Sequence, residues 1–368
     1  MSIQLFEYHP IIGYRFIPGL KLRLEHEGGG YLVRVNSTGF RSEHEYSKEK
    51  MPGKGSKFRI LLFGDSFTAG DAVSNKHRYG DVLETLLPDT EVYNFALPGT
   101  GTDQHYLVWR EIAREFEHDL VVIAAQVENI RRVAAHHRLS ITSEGEQVLL
   151  AKPYFELKPD GTLDLQNVPV PKEPLKPDDL PEEDKDFVDQ GGRLPWLRNI
   201  VNKLGVKDVV QKMSGYQPLP EYDDAKGREW QLMSAILKQW IGEIEKPVIL
   251  MPVPLYQYVE ETASPNSYRK RFVELFSELT ELSELTELSG SDNSANSVNS
   301  VNSANLTLHD PLDDYYAVPK AERRSLRFEK DIHPTPAHHK LLAKSLAKTL
   351  YRFFPTSAEG FVSTGVAE

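Results

Sequence analysis

An α/β fold, with a doubly wound parallel sheet and helices on both faces, is predicted from this sequence by two observations. From residue 58 onward, short apolar runs alternate with segments of helical periodicity: "FRILLF", "HRYGDVLETLL", "EVYNFA", a further helix, then "LVVIAA". Such alternation marks strand–helix–strand units whose strands lie parallel and are covered on both faces. Small and polar residues gather where the apolar runs end, in "GDSFTAG", "NFALPGTGTDQ" and "QVENIRR". In an open sheet of this kind the strand ends converge on one edge, which is where ligands bind.

The elements follow in order. Residues 1–57 are rich in glycine, tyrosine and charge and read as an N-terminal β-rich arm; "GGGYLVRVNSTGFRS" alternates weakly around Leu32, Val33 and Val35. The α/β domain spans 58–354. After its first strand, Tyr79, Val82, Leu83, Leu86 and Leu87 share one helical face. A second helix turns Tyr106, Trp109, Ala113 and Phe116 inward, and the strand at 120–125 follows. "IRRVAAHH" reads as a short helix after "QVEN".

The alternation stops near residue 138, and 139–228 reads as an inserted lid. Within it, "YFELKPDGTLDL" is a hairpin around a Pro-Asp-Gly turn, "VPVPKEPLKPDDLPEEDKD" a solvated acidic connector and "PWLRNIVNKL" a short helix. The core resumes with a stripe of Met233, Ile236, Leu237, Trp240, Ile241 and Ile244. "PVILMPVP" is the fourth strand and "YRKRFVELFSEL" the next helix, which the first half of the Ser-Glu-Leu repeat can extend. Residues 289–304 are polar and repetitive and are expected to be disordered. "NLTLHD" is a candidate fifth strand. The last helix has Thr335 as N-cap, Pro336 at its first position, and Leu342, Leu346, Leu350 and Phe353 or Phe354 inward. Residues 355–368 form a tail.

Composition narrows the function classes. The 368 residues carry a net charge of −11, which argues against a nucleic-acid surface built from clustered Lys and Arg. There are no cysteines, so thiolate catalysis and disulfides are excluded. No basic-then-apolar leader is visible, and the run "LVVIAA" is far too short to span a bilayer. A cytoplasmic protein without a membrane span is expected. No Gly-x-x-x-x-Gly-Lys phosphate loop and no His-Glu-x-x-His occurs, and "GTGTDQ" has Gln104 where a dinucleotide loop needs its third glycine. The pairs His136-His137 and His338-His339 diverge on helices and read as surface or core residues. No cofactor or metal is called for.

The chemistry-bearing residues sit at the predicted strand and helix ends. Ser66 follows a buried strand and is flanked by glycines, so its hydroxyl stands on the binding edge. Asp331 and His333, two apart before a proline-initiated helix, fall on the same side of an extended segment. An aspartate so placed orients an imidazole as a base, as in Ser-His-Asp systems; a simple capping segment is the other reading. A tetrahedral oxyanion needs donors. The Ser66 and Gly99 amides and the Asn129 side chain can supply them, although Gly99 can equally be a turn glycine and Asn129 a helix N-cap. Arg41 can bind a substrate carboxylate or, more commonly for its kind, a structural acidic partner.

Together these segments resemble the SGNH/GDSL hydrolase family. "GDSFTAG" resembles its first block with the nucleophilic serine, and "NFALPGTG" the second, with Gly99. "QVENIRR" resembles the third, with its asparagine, and "DIHP" the fifth, with Asp and His two apart. "VNSTGFRS" looks like a segment of one bacterial branch. The third block departs from the common Gly-Asn-Asp, reading Glu128-Asn129-Ile130. The resemblance covers about 58–138 and 230–354. It implies a flavodoxin-like sheet with Ser66, Asp331 and His333 as the triad. It also implies Ser66, Gly99 and Asn129 as the oxyanion hole, and hydrolysis of a small-molecule or carbohydrate ester. Acyl transfer by the same residues and a catalytically silent binding module are the alternatives.

Overall fold

The computed structural model describes residues 4–354 except 52, 54, 55, 143, 190–215 and 290–304. The segment "PWLRNIVNKL", most of the repeat at 289–304 and the tail at 355–368 lie outside the described residues. The first 57 residues contribute two antiparallel pairs. β1 (Phe6–His9) pairs with β2 (Gly13–Phe16), and β3 (Lys21–Leu24) with β4 (Tyr31–Arg34).

β5 (Phe58–Phe63), β6 (Thr90–Asn94) and β7 (Leu120–Gln126) come from the first three apolar runs. Beyond them stand β8 (His137–Ile141), β9 (Gln147–Ala151), the hairpin of β10 (Tyr154–Leu157) and β11 (Leu163–Gln166), and β12 (Val188–Asp189). β8 is the middle strand of a small sheet, antiparallel to β9 and parallel to β12. β13 (Val248–Val253) and β14 (Leu306–Leu308) complete the main sheet.

That main sheet is wholly parallel, in the order β14-β13-β7-β5-β6. Counted along the chain, this is the 2-1-3-4-5 order of flavodoxin-like folds. The chain leaves β5 toward β6 and then crosses back to β7. Right-handed crossovers in opposite directions place the two intervening helices on opposite faces. Helix Tyr79–Leu86 accordingly packs beside helix Pro336–Leu350, and helix Thr102–Glu111 beside helix Arg228–Gly242. Every residue of β7 and β13 is buried, as strands covered on both faces require. Phe63 on β5 meets the Trp240 indole edge-on at 5.2 Å, which joins the sheet to its covering helix.

Several boundaries differ from the sequence reading. The second helix ends at Glu111, so Ala113 sits in a 3-10 turn and Phe116 beyond it, though both stay buried. The "IRRVAAHH" helix stops at Val133. His136 and His137 therefore do not lie on a helix, and His137 opens β8 instead. The core resumes before residue 228: Leu219 and Tyr222 are buried, and the Tyr222 hydroxyl donates to Val127 O at 2.8 Å. The repeat does extend its helix, which runs Asn266–Ser289. Thr335 precedes the last helix but does not cap it with its side chain. Its hydroxyl donates to Ser325 O (3.0 Å) and Leu326 O (3.2 Å), tying the helix to the preceding turn.

Candidate active site

The switch point of the sheet lies between β5 and β7, the two strands from which the chain departs in opposite directions. β5 ends at Phe63. After it, Asp65 caps the short helix α1 (Ser66–Ala69), its carboxylate accepting from Phe67 N at 3.0 Å. Ser66 is the first residue of that helix and is 6% exposed. The helix closes on Gly70, whose φ of +79° is the left-handed conformation that glycine adopts without strain. The Arg78 side chain fills the place a Cβ at Gly70 would take.

Arg41 locks this turn from the N-terminal segment. Its guanidinium is buried and donates to Gly70 O (2.7 Å), Val73 O (2.7 Å) and Asn75 Oδ1. Neither reading offered by the sequence for Arg41 holds, since its partners are two backbone carbonyls and an amide. Burial, with help from Arg78, brings its pKa down to about 10.

β6 leads to the turn carrying Gly99, where φ is +72°. The turn is fastened at both sides. Thr100 Oγ1 donates to Leu97 O at 2.6 Å and is itself met by His105 Nε2 at 3.0 Å. Burial draws His105 down to about 3, so its imidazole is neutral. Tyr14, on β2, donates its hydroxyl to Pro98 O. In a trans peptide the C=O and the following N–H point in opposite directions. Holding the Pro98 carbonyl therefore aims the Gly99 N–H the other way.

β7 leads to helix α2 (Asn129–Val133). Asn129 is its first residue, not its N-cap, and is fully buried. Its Oδ1 accepts from Arg132 Nη1 at 3.2 Å, which fixes the amide. Its Nδ2 is buried with no partner. Ile130, the departure from the family pattern, turns into the core at 0% exposure and leaves the amide untouched.

Arg132 joins the three loops. One nitrogen, Nη1, reaches Asp65 Oδ2 (2.7 Å), Thr100 O (3.3 Å) and Asn129 Oδ1 (3.2 Å). Its other nitrogens face Glu128 at 3.6 Å and Asp189 at 3.8 Å. The surrounding carboxylates overcome the effect of burial and hold it charged. The ends of β5, β6 and β7 are thus pinned within one guanidinium's reach. Among the described residues, the Ser66 and Gly99 amides donate to no protein acceptor. Three donors without a protein acceptor therefore stand on the three loops that Arg132 ties together.

Asp331 and His333 stand in the segment before helix Pro336–Leu350. His333 Nδ1 lies 2.6 Å from Asp331 Oδ1, and the His333 backbone N–H also donates to that oxygen at 3.1 Å. The pairing comes from this local bend, not from the extended alternation the sequence suggested. Burial pulls the imidazole down, but the Asp331 hydrogen bond and the charges of Asp71, Asp331 and Asp65 overcome it and leave the pKa above 6.5. Burial pushes Asp331 up; His333 and His26 outweigh it and hold the carboxyl well below the usual carboxylate range. The Phe67 ring lies 5.7 Å from the His333 ring, which sets α1 against the imidazole.

The arm holds the acid from its other side. His26 Nε2 is 3.2 Å from Asp331 Oδ2, and Glu27 accepts the backbone N–H of Lys330 and of Asp331, each at 2.9 Å. His26, Glu27, Tyr14, Asp65 and Arg132 were not singled out from the sequence. Asp65 and Arg132 lie inside the quoted motifs, and the available signal was a charge within three residues of a candidate donor, Ser66 or Asn129. His26 lies 305 positions from Asp331, and nothing local marks it.

His338 and His339 are core residues. His338 meets Leu326 O and the Tyr315 hydroxyl, and His339 Nδ1 accepts from Tyr79 N. Among the described residues, no group of three or more His, Cys, Asp or Glu is placed to hold a metal ion, and no helix is long and apolar enough to cross a membrane.

No protein-family model and no curated protein matches the chain. Similar solved structures include TesA, at 12% identity and a TM-score of 0.36, covering 80% of this chain and 99% of that one. A lipolytic protein of the G-D-S-L family from Veillonella parvula gives 10% identity and 0.34, over 80% and 98%. The esterase EstA from Pseudoalteromonas sp. gives 9% and 0.36, over 81% and 98%.

Proposed function

We propose that the protein is a serine hydrolase of carboxylic esters, of the SGNH/GDSL type, working through an acyl-enzyme. The observation that supports this reading is the presence of three unpaired donors, Ser66 N–H, Gly99 N–H and Asn129 Nδ2, on the switch-point loops that Arg132 ties together. An orphaned buried amide is costly unless something pairs it in the working state.

Ser66 Oγ attacks the acyl carbon while His333 Nε2 takes its proton. Asp331 holds Nδ1, which leaves Nε2 free for the nucleophile and stabilises the imidazolium. The carbonyl oxygen becomes an oxyanion and gathers the three donors, each worth ~3 kcal/mol in the transition state. Collapse breaks the ester C–O bond, and the alcohol leaves with the proton from His333. Water then repeats the sequence and releases the acid. The substrate is a small-molecule or carbohydrate ester.

The test is covalent labelling. A fluorophosphonate probe should add its phosphonyl mass to the peptide containing Ser66, and Ser66→Ala should abolish both the label and turnover of an aryl acetate at unchanged Tm. Turnover by Ser66→Ala within a few-fold of the parent removes Ser66 from the mechanism.

A further inference from the structure

Arg138, on β8, lies across Gly99. A Cβ at Gly99 would meet its Cζ, Nη1 and Nη2 at 2.4, 2.4 and 2.5 Å, so the guanidinium rests nearly flat on the glycine, face to backbone. The glycine at this position thus serves two ends: a left-handed turn, and a floor on which a planar cation can rest. Nη1 donates to the Tyr14 hydroxyl at 2.7 Å. That hydroxyl gives its own proton to Pro98 O, so it accepts from Arg138 and the orientation is fixed.

The other donors of Arg138 have no acceptor among the described residues. This sets it apart from the other arginines of the interior. Arg59, Arg78, Arg132 and Arg327 each face a carboxylate at 2.6–2.7 Å. Arg41, which lacks one, spends its nitrogens on Gly70 O, Val73 O and Asn75 Oδ1. Asp189 is the register partner of Arg138 across β8 and β12, yet its carboxylate approaches Arg132, at 3.8 Å. A half-buried guanidinium, pre-oriented by one hydrogen bond and short of a carboxylate, therefore sits against the residue that supplies an oxyanion donor.

We infer that Arg138 reads an acidic group on the substrate. The ester would carry a carboxylate, sulfate or phosphate a few ångströms from the scissile carbonyl, bound by the free edge of the guanidinium. A planar fork suits such groups because it offers two parallel N–H donors to two oxygens. The inference rests on the ester-hydrolase reading and adds the substrate class. Arg138 belongs to specificity; the proton transfers remain with Ser66 and His333.

The experiment compares kcat/KM for two matched pairs of esters. Mono-4-nitrophenyl succinate against its methyl ester places the acid on the acyl side. 4-Acetoxybenzoate against its methyl ester places it on the alcohol side. The parent should favour the acidic member of one pair by about tenfold or more, the scale of a charge-assisted hydrogen bond. Which pair shows the preference identifies the side. Arg138→Met should bring that ratio close to one, and Arg138→Lys should keep part of it, since a point charge remains without the fork. The ratio is the readout because a merely structural arginine would lower both members together. Equal losses on both members, a ratio kept in Arg138→Met, or a parent without preference in either pair overturns the inference while ester hydrolysis stands. A parent that turns over none of the four esters and takes no fluorophosphonate label overturns ester hydrolysis, and this inference with it.

Discussion

The two halves of the proposed site, the oxyanion donors and the base, are built in contrasting ways. The oxyanion half stands on the ends of β5, β6 and β7, and Asp65 and Asn129 there are both fully buried. It is cross-linked by Arg132, and each of its loops is pinned by several hydrogen bonds. The base half stands on a short segment between two helices, partly open to solvent, with Asp331 about a third exposed at its side chain. It is held by its local bend, by two residues of the arm, and by backbone bonds from Phe328 N to His333 O (3.3 Å) and from Thr335 N to Leu326 O (2.9 Å).

The difference fits what each half would do in the proposed reaction. Donors aimed at a developing charge act through fixed positions, so a rigid, dry setting suits them. A base must gain and lose a proton in each turnover, so it needs contact with water and an acid partner that stays charged. The N-terminal arm serves both halves: Tyr14 orients the Gly99 peptide, and His26 with Glu27 holds the Asp331 segment.

The contrast makes three predictions of decreasing size. The largest concerns Asp331→Asn, which removes the acceptor on His333 Nδ1 and frees the wrong tautomer. The plateau of kcat should fall by ~10³–10⁴. The pH profile gives an independent sign. Activity requires neutral His333, so kcat/KM falls on the acid side as the imidazole gains its proton. Asp331 raises that pKa in the parent. Its loss should therefore shift the acid limb to lower pH. A limb that stays in place, or a plateau near the parent value, separates Asp331 from His333.

Asn129→Ala should lower kcat by ~10²–10³, the cost of one oxyanion donor. Because Nδ2 has no partner in the free protein, the loss should appear in kcat with KM little changed. A change confined to KM would mean that the amide binds the ground state instead.

The smallest effect belongs to the arm. His26→Gln weakens one of the supports of Asp331 and leaves its bond to His333. Activity should fall ~3- to 10-fold, the range of a single hydrogen bond of modest net strength. The acid limb should stay close to its parent position, because Asp331 keeps its charge and its bond to His333. A limb displaced to lower pH as in Asp331→Asn, or a loss as large as in that variant, would point to a collapsed segment in which the bond to His333 is lost.

Much was legible in the sequence. The buried strands are continuous apolar runs, and their helices carry apolar stripes, so "FRILLF", "LVVIAA" and "PVILMPVP" could be placed from local pattern alone. Ser66, Gly99 and Asn129 could be proposed because each follows such a run by a few residues. Asp331 and His333 could be paired because they are two apart. Boundaries were less legible where tertiary contacts decide them. "IRRVAAHH" has helical composition throughout, yet it leaves the helix after Val133 and enters β8, where pairing with β9 and β12 is available.

The sequence by itself determined the order of the strands' appearance and which residues stand at their ends as candidates for the chemistry. Both rest on local pattern: periodicity, turn residues and short spacings. Tertiary structure alone decided what faces those residues. Arg41 became a clamp on Gly70 and not an acid's partner, Arg132 became the common bond of three loops, Arg138 came to rest on Gly99, and His26 reached Asp331 across 305 positions. A long, flexible cation has no preferred partner along the chain. Its partner is set by which acceptors the folded sheet brings within a few ångströms, and that distance is a property of the assembled fold.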